Sequence, residues 1–241
     1  MHRTRNAAWV QAHRGFKSLP LRQNIKYLQL SNIPAEKVSV KFKAKGDRRR
    51  GFREDEAKAI LTAALKEQKP YLRWLPWLSA MTGARIAELS QLRGSDVRRD
   101  TSIWIISLEW AAGSLKNQGS ARKIPVHPVL TERGFLDFAE KAGSGPLFPE
   151  LRPDRFDNRG GTATKKLSRW MRDVVKITDK RVAPNHSWRH RFKTECRRVG
   201  VSKEASDAIT GHTGGDEGGK YGEFPVDRLY EELKKLQDPL R

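Results

Sequence analysis

A short β-rich interruption in an otherwise helical sequence is the feature that most restricts the fold of this chain. Apolar residues recur at helical spacing through 53–65, 71–83 and 85–92. The segment 102–108, SIWIISL, then changes to β-rich composition, and 122–128, RKIPVHP, follows it after a polar turn that contains glycine. The pattern therefore predicts three helices followed by one β-hairpin.

Helical periodicity returns after this hairpin and continues almost to the end of the sequence. We find no internal repeat and no low-complexity segment. The sequence thus predicts a fold that is mainly α with a small antiparallel β-sheet. The predicted helical segments beyond the hairpin are 128–143, 162–177, 186–200, 202–210 and 225–236.

The charge of the chain indicates a polyanionic partner. Lysine and arginine number 48 against 28 aspartates and glutamates, which gives a formal net charge of +20. This excess is larger than solubility requires and is typical of proteins that bind nucleic acid. An anionic membrane surface would also attract such a chain, but the sequence has neither a membrane-spanning apolar run nor a signal peptide. We therefore expect double-stranded DNA, and no membrane, as the partner.

Cysteine usage agrees with a reducing compartment. The single cysteine, Cys196, excludes an internal disulfide and any cysteine-cluster metal site. A buried small apolar residue is a more common role for such a cysteine than a reactive thiol. We expect a soluble protein of the bacterial cytoplasm or nucleoid.

Composition also divides the chain near residue 50. The segment 41–53, KFKAKGDRRRGFR, holds seven basic residues and one acidic residue, a pattern typical of a linker or of an arm that lies against nucleic acid. We interpret 1–50 as the remnant of an N-terminal domain with its basic linker, and 51–241 as the main domain. Within the linker, Arg48, Arg49 and Arg50 are the predicted DNA contacts.

The glycine-rich stretch 211–224, GHTGGDEGGKYGEF, resembles a phosphate-binding loop only superficially. Gly214–Lys220 fits the G-x-x-x-x-G-K frame, but Tyr221 stands where a nucleotide-binding loop needs serine or threonine. The preceding segment is helical, whereas such a loop follows a buried strand. A nucleotide site is therefore rejected, and the role of a tyrosine among glycines becomes the question.

A tyrosine hydroxyl attacks a phosphate ester effectively only when cations surround the phosphorus, so arginines and histidines elsewhere are informative. Arg85 begins a helical segment after a glycine turn, with Glu88 three residues later on the same face. His186 and Arg189 are likewise three residues apart at the start of another helical segment. His212 ends the helix that precedes the glycine-rich stretch.

The order of these motifs resembles the tyrosine recombinase, or phage integrase, family. The resemblance runs from about Gly51 to the C-terminus, with motifs in the family's order and spacing. Trp188, where the family often has leucine, departs from the pattern, as does the number of glycines before the tyrosine. The motifs are TGARIAEL, LKNQGSARKIPVHP, PNHSWRHRFKT, TGH and KYGEF.

The resemblance implies a role for each matching residue. Tyr221 corresponds to the nucleophile, and Arg85, Arg189 and His212 correspond to the residues that bind the scissile phosphate. His186 is the histidine that precedes the second arginine, and Lys116 in the hairpin turn is the general acid. Lys123, on the strand that follows this turn, is a rival for the lysine role and a candidate DNA contact.

The resemblance further implies a mechanism that needs no cofactor and no metal ion. Such enzymes form a 3′-phosphotyrosyl intermediate, release a 5′-hydroxyl and act as tetramers that exchange strands between two duplexes. The expected function is site-specific integration or excision of a mobile element, which can involve accessory DNA-bending proteins. The amphipathic segment 225–236 either packs on its own domain or passes to a neighbouring protomer.

Two rival functions remain open from the sequence. A topoisomerase of the type IB kind uses the same residues to nick and reseal one duplex. A non-catalytic DNA-binding protein would use the net charge alone, through release of counterions from phosphate.

Overall fold

The computed structural model describes residues 49–108, 121–212 and 224–241, and the structural statements below concern these residues. The expected N-terminal remnant lies outside them, apart from Arg49 and Arg50. Arg48, Lys116 and Tyr221 also lie outside the described residues.

All three helices predicted before the hairpin are present. They are α1 (Glu54–Leu65), α2 (Pro70–Thr82) and α3 (Ile86–Leu89). Helix α1 begins with a cap in which the Glu56 carboxylate accepts a 2.8 Å hydrogen bond from the backbone N–H of Arg53. Helix α3 is a single turn, and Arg85 is its N-cap residue.

The sheet has three antiparallel strands in the order β1-β2-β3, namely β1 (Val97–Asp100), β2 (Ile103–Leu108) and β3 (Arg122–Pro125). In β2, Ile106 pairs with Val97 of β1 on one side and Ile124 of β3 on the other. The predicted pairing of β2 with β3 is confirmed. Strand β1 was not predicted, because three of its four residues are charged.

Six helices follow the sheet in the described part of the chain. The predicted segment 128–143 forms two of them, because Gly134 has φ of 81°, which a helix cannot contain. The other predicted segments each form one helix. The six are α4 (Pro128–Glu132), α5 (Phe135–Ala142), α6 (Gly160–Asp173), α7 (Pro184–Arg198), α8 (Lys203–Thr210) and α9 (Val226–Lys234).

Helices α2 and α7 pack against each other through the core and place two site segments side by side. Trp77 and Leu78 of α2 and Phe192 of α7 are fully buried. The approach is closest at Gly83, where a Cβ atom would lie 2.6 Å from the Phe192 ring. Glycine at this position therefore allows the residues that follow α2 to reach the N-terminal half of α7.

Two residues noted in the sequence, Trp188 and Cys196, are buried. Trp188 packs on Phe52 with ring centroids 4.8 Å apart. Burial raises the pKa of the Cys196 thiol to about 11, which keeps the thiol protonated and unreactive at neutral pH. No helix among the described residues is long and apolar enough to cross a membrane.

Candidate active site

Arg85 projects from the start of α3 and is held by the glutamate that follows it. Its Nη1 atom donates to Oε1 of Glu88 at 2.8 Å, and its backbone N–H donates to Oε2 at 2.9 Å. The Glu88 side chain is only 3% exposed, whereas that of Arg85 is 43% exposed. Glu88 therefore holds the guanidinium group of Arg85 in place, and part of the Arg85 side chain stays open to solvent.

A second arginine, Arg122, pairs with the same glutamate from the sheet. Its Nη2 atom lies 2.8 Å from Oε2 of Glu88, and its Nε atom donates to the backbone carbonyl of Ile209 at 2.8 Å. Burial alone would raise the pKa of Glu88, but the ion pairs with Arg122 and Arg85 outweigh it and hold this pKa below its usual value. Glu88 is thus a carboxylate shared by two arginines.

Arg189 lies beside this pair, although it comes from α7. Its Nη1 atom donates to the backbone carbonyls of Gly83, at 3.1 Å, and Thr210. Its Nη2 atom is buried and has no hydrogen-bond partner in the described part of the chain. Burial and the positive charges of Arg85 and Arg122 lower the pKa of Arg189 to about 10, so it stays protonated at neutral pH.

His186 lies within the electrostatic influence of the same arginines. Partial burial lowers its pKa, and the positive charges of Arg49, His190, Arg189 and Arg85 lower it further. The imidazole of His186 is therefore neutral at pH 7. Arg49, from the predicted basic linker, is exposed and contributes its charge to this region.

His212 follows the end of α8, which also reaches the cluster. Its backbone N–H donates to the carbonyl of Asp207 at 2.9 Å, and its side chain is exposed. The preceding residue, Gly211, has φ of 62°, and a Cβ atom there would lie 2.6 Å from Nη1 of Arg122. Thr210, which accepts from Arg189, precedes Gly211. His212 therefore directly follows Thr210 and Gly211, which lie against Arg189 and Arg122.

Two candidate DNA contacts are engaged elsewhere. Lys123 follows Arg122 on β3, and neighbouring residues of a strand point to opposite faces of the sheet. Its Nζ atom lies 2.8 Å from Asp100, so the amino group is directed away from Glu88. Arg50 pairs with Glu56 and Asp179, each at 2.7 Å.

The structure therefore brings together Arg85, His186 and Arg189, which the motif spacing had indicated. Arg122 belongs to the same cluster but was missed as a functional candidate. The alternation of side chains along a strand could have separated it from Lys123. Lys116, in the segment between β2 and β3, and Tyr221, between α8 and α9, lie outside the described residues.

Among the residues that the structure describes, this cluster holds more positive than negative charge. Arg85 and Arg122 share the Glu88 carboxylate, and Arg189 adds a third positive charge beside them. Such an arrangement binds an anion, and the planar guanidinium groups match the oxygens of a phosphate. Within the described ranges, no group of three or more His, Cys, Asp or Glu side chains is arranged to hold a metal ion.

Comparison with known proteins identifies the fold. Neither a protein-family model nor a curated protein matches the sequence. An integrase from mycobacterium phage Brujita is similar in structure, with a TM-score of 0.60 and 20% identity over 83% of this chain. The XerH site-specific recombinase, solved with its difH substrate before cleavage, has a TM-score of 0.50 and 17% identity over 93% of this chain.

The two matches cover different shares of the similar proteins. This chain spans 61% of the length of the phage integrase chain and 68% of the recombinase chain. The observed class, mainly α with a small antiparallel sheet, agrees with the prediction. The chain therefore has the fold shared by this phage integrase and this site-specific recombinase.

Proposed function

We propose that this protein is a tyrosine recombinase that cleaves and rejoins DNA strands at specific sites. The observation that carries the proposal is the surplus of positive charge at Arg189, whose pKa is lowered by burial and by two neighbouring arginines. Among the described residues this charge is not balanced, and a DNA phosphate would offset it. The shared fold and the motifs TGARIAEL, HSWR and TGH support the same reading.

In the proposed reaction, the Tyr221 hydroxyl gives up its proton to solvent and attacks the phosphorus, and the bond from phosphorus to the 5′-oxygen breaks. The departing 5′-oxygen takes a proton from Lys116, and a 3′-phosphotyrosyl ester forms. Attack by a 5′-hydroxyl of another strand reverses these steps and rejoins the DNA. Because one ester replaces another, no external energy source is needed.

The arginine cluster performs the electrostatic part of this reaction. Arg85 and Arg189 bind the non-bridging oxygens and stabilise the negative charge that grows in the transition state. His212 donates a further hydrogen bond to the phosphate, and neutral His186 lies beside it. The protein acts on double-stranded DNA as a homotetramer in the bacterial cytoplasm or nucleoid, to integrate or excise a mobile element, with accessory DNA-bending proteins where its site requires them.

The test is formation of a covalent protein–DNA adduct on a nicked half-site duplex, detected on denaturing gels. Wild-type protein forms the adduct in the presence of EDTA, Tyr221→Phe forms none, and the matched control Tyr230→Phe forms it normally. Because a single uncharged hydroxyl adds little to a phosphate-driven interface, Tyr221→Phe keeps its DNA affinity within about threefold.

Other outcomes separate the rival functions. DNA binding without any adduct would identify a non-catalytic DNA-binding protein. An adduct with relaxation of supercoiled plasmid but no exchange between two sites would identify a topoisomerase. Loss of the adduct in EDTA, restored by magnesium, would overturn the proposed metal-independent mechanism.

A further inference from the structure

We propose that Arg122 is a positioning residue that holds Arg85 and Arg189 in one fixed arrangement around the scissile phosphate. This inference rests on the function proposed above. Arg122 comes from β3, and none of the family motifs assigned it a role.

The connection from Arg122 to Arg85 runs through Glu88. Arg122 Nη2 donates to Oε2 of Glu88 at 2.8 Å, and Arg85 Nη1 donates to Oε1 at 2.8 Å. The two arginines thus hold opposite oxygens of one carboxylate that is almost completely buried. Arg122 fixes the orientation of the Glu88 carboxylate, and the carboxylate in turn fixes the guanidinium group of Arg85.

The connection from Arg122 to Arg189 runs through the last turn of α8. Arg122 Nε donates to the carbonyl of Ile209 at 2.8 Å, and the next carbonyl, that of Thr210, accepts from Arg189 Nη1. The guanidinium group of Arg122 therefore holds both the Glu88 carboxylate, which binds Arg85, and the last turn of α8, which binds Arg189. It also anchors the turn from which His212 extends.

Burial distinguishes Arg122 from Arg85, the more exposed of the two arginines proposed to bind the phosphate. Its side chain is 8% exposed, compared with 43% for Arg85. The planar fork of an arginine can direct Nε and Nη2 to two acceptors at once, whereas lysine has only one nitrogen. We therefore expect Arg122→Lys to keep the charge but to lose the connection between Glu88 and Ile209.

The first experiment compares Arg122→Lys with Arg133→Lys. Arg133 is a matched control, because it is also largely buried and pairs with Asp238 at 2.7 Å, outside the cluster. We expect Arg122→Lys to slow single-turnover cleavage about 10- to 100-fold, because a small displacement of Arg85 and Arg189 from the phosphate lowers the rate strongly. The Kd of this variant for DNA should change less than about threefold. Arg133→Lys cleaves within about threefold of wild type at a temperature where all three proteins are folded.

Two results would refute the positioning role. Cleavage by Arg122→Lys within about threefold of wild type would show that the fork geometry is not needed. A loss of DNA affinity as large as the loss of rate would show that Arg122 contacts DNA directly.

The second experiment displaces the guanidinium group of Arg122 by a substitution at a neighbouring residue, so that Arg122 itself is unchanged. Gly211→Ala places a Cβ atom 2.6 Å from Arg122 Nη1, at φ of 62°, whereas Gly200→Ala has a similar φ of 74° and no atom within 4 Å. Both variants place alanine at a positive φ, but only the first places a Cβ atom against Arg122. We expect Gly211→Ala to slow cleavage at least about tenfold more than Gly200→Ala, and this excess to shrink in an Arg122→Lys background. Complete additivity would contradict the proposal.

A measurement without DNA separates this inference from the proposed function. Solvent exchange of the guanidinium N–H protons of Arg85 and Arg189, followed by NMR, should be faster in Arg122→Lys than in wild type and unchanged in Arg133→Lys. Absence of any wild-type adduct would refute the recombinase function alone. Unchanged exchange at both arginines would refute the positioning role of Arg122, whatever the protein does to DNA.

Discussion

Arg49 and Arg50 show how two adjacent basic residues acquire different environments. The guanidinium group of Arg50 pairs with Glu56 and Asp179, each at 2.7 Å, and its side chain is 22% exposed. Arg49 is exposed, and its positive charge contributes to the lowered pKa of His186. The charge run predicted that both arginines contact DNA, and the structure favours Arg49 for this role.

We predict that alanine at Arg49 weakens DNA binding, whereas alanine at Arg50 lowers the stability of the fold. Arg49→Ala should reduce the log–log salt slope of DNA binding by about one, the value for one lost phosphate contact, and should raise the pKa of His186, measured by NMR titration. Arg50→Ala should leave the slope unchanged but lower the free energy of unfolding by roughly 1–3 kcal/mol, because buried Glu56 loses its main partner. A reduced slope in Arg50→Ala with unchanged stability would assign the DNA contact to Arg50 instead.

Local spacing and tertiary contacts differ in what they reveal about single residues. The i, i+3 spacing within TGARIAEL and HSWRHRF indicated Arg85, Glu88, His186 and Arg189 from the sequence, since three residues bring side chains to one helix face. The pairing of Arg122 with Glu88 depends on how β3 packs beside α3, which no local pattern records. The catalytic roles of Tyr221 and Lys116 stay predictions.

At the scale of elements, periodicity located the long helices but not the short or charged elements. Strand β1 is recognisable only by its pairing with β2, because its residues VRRD lack the apolar alternation of a half-buried strand. The division between α4 and α5 depends on the positive φ of Gly134, which apolar spacing does not detect. Pairing and backbone geometry therefore supply what the sequence pattern lacks.

Helix α4 shows how one buried histidine joins two elements. His127 is its N-cap, and its Nδ1 atom accepts from the backbone N–H of Val129 at 3.1 Å. Its Nε2 atom then donates to the carbonyl of Leu236, just beyond α9, at 3.0 Å. Burial lowers the pKa of His127, so the neutral ring that both hydrogen bonds require is the stable form at pH 7.

We predict that His127→Asn keeps the cap but loses the link to the segment after α9. Asparagine is a good N-cap residue but is too short to reach Leu236, so the free energy of unfolding at pH 7 should fall by about 1–2 kcal/mol. Because the folded-state pKa of His127 lies below its unfolded value, its contribution is present above about pH 6.5 and decreases as the pH falls. Urea unfolding should therefore show a smaller loss between pH 7 and pH 5 for the variant than for wild type. An equal loss would show that His127 does not titrate with unfolding.

At the scale of the whole molecule, ionised carboxylates stabilise the folded state of a chain that has a large excess of positive charge. The pKa values of several of them are lowered, although burial opposes this, because arginine, lysine or backbone N–H groups bind the ionised form. A carboxylate with a lowered folded-state pKa contributes stability above its unfolded pKa of about 4 and loses it as the pH falls further. The carboxylates are Glu56, Glu88, Asp207 and Glu232.

We therefore predict a steep loss of stability between pH 5 and pH 3. The urea midpoint should fall across this range, because protonation removes the partners of the cations and increases repulsion within a chain of net charge +20. Added salt at pH 3 should recover part of the loss by screening that repulsion. A urea midpoint that stays constant from pH 5 to pH 3 would contradict the stabilising role of these carboxylates.

The arginine cluster draws its members from three distant parts of the chain, and this has a consequence for synthesis on the ribosome. Arg85 emerges early, but Arg122, Arg189 and the end of α8 at Thr210, which supports Arg189, emerge much later. A nascent chain therefore carries much of its positive charge before Arg85 and Arg189 can meet. The cluster is therefore complete only after translation has passed residue 210, so whatever activity depends on it is absent from shorter nascent chains.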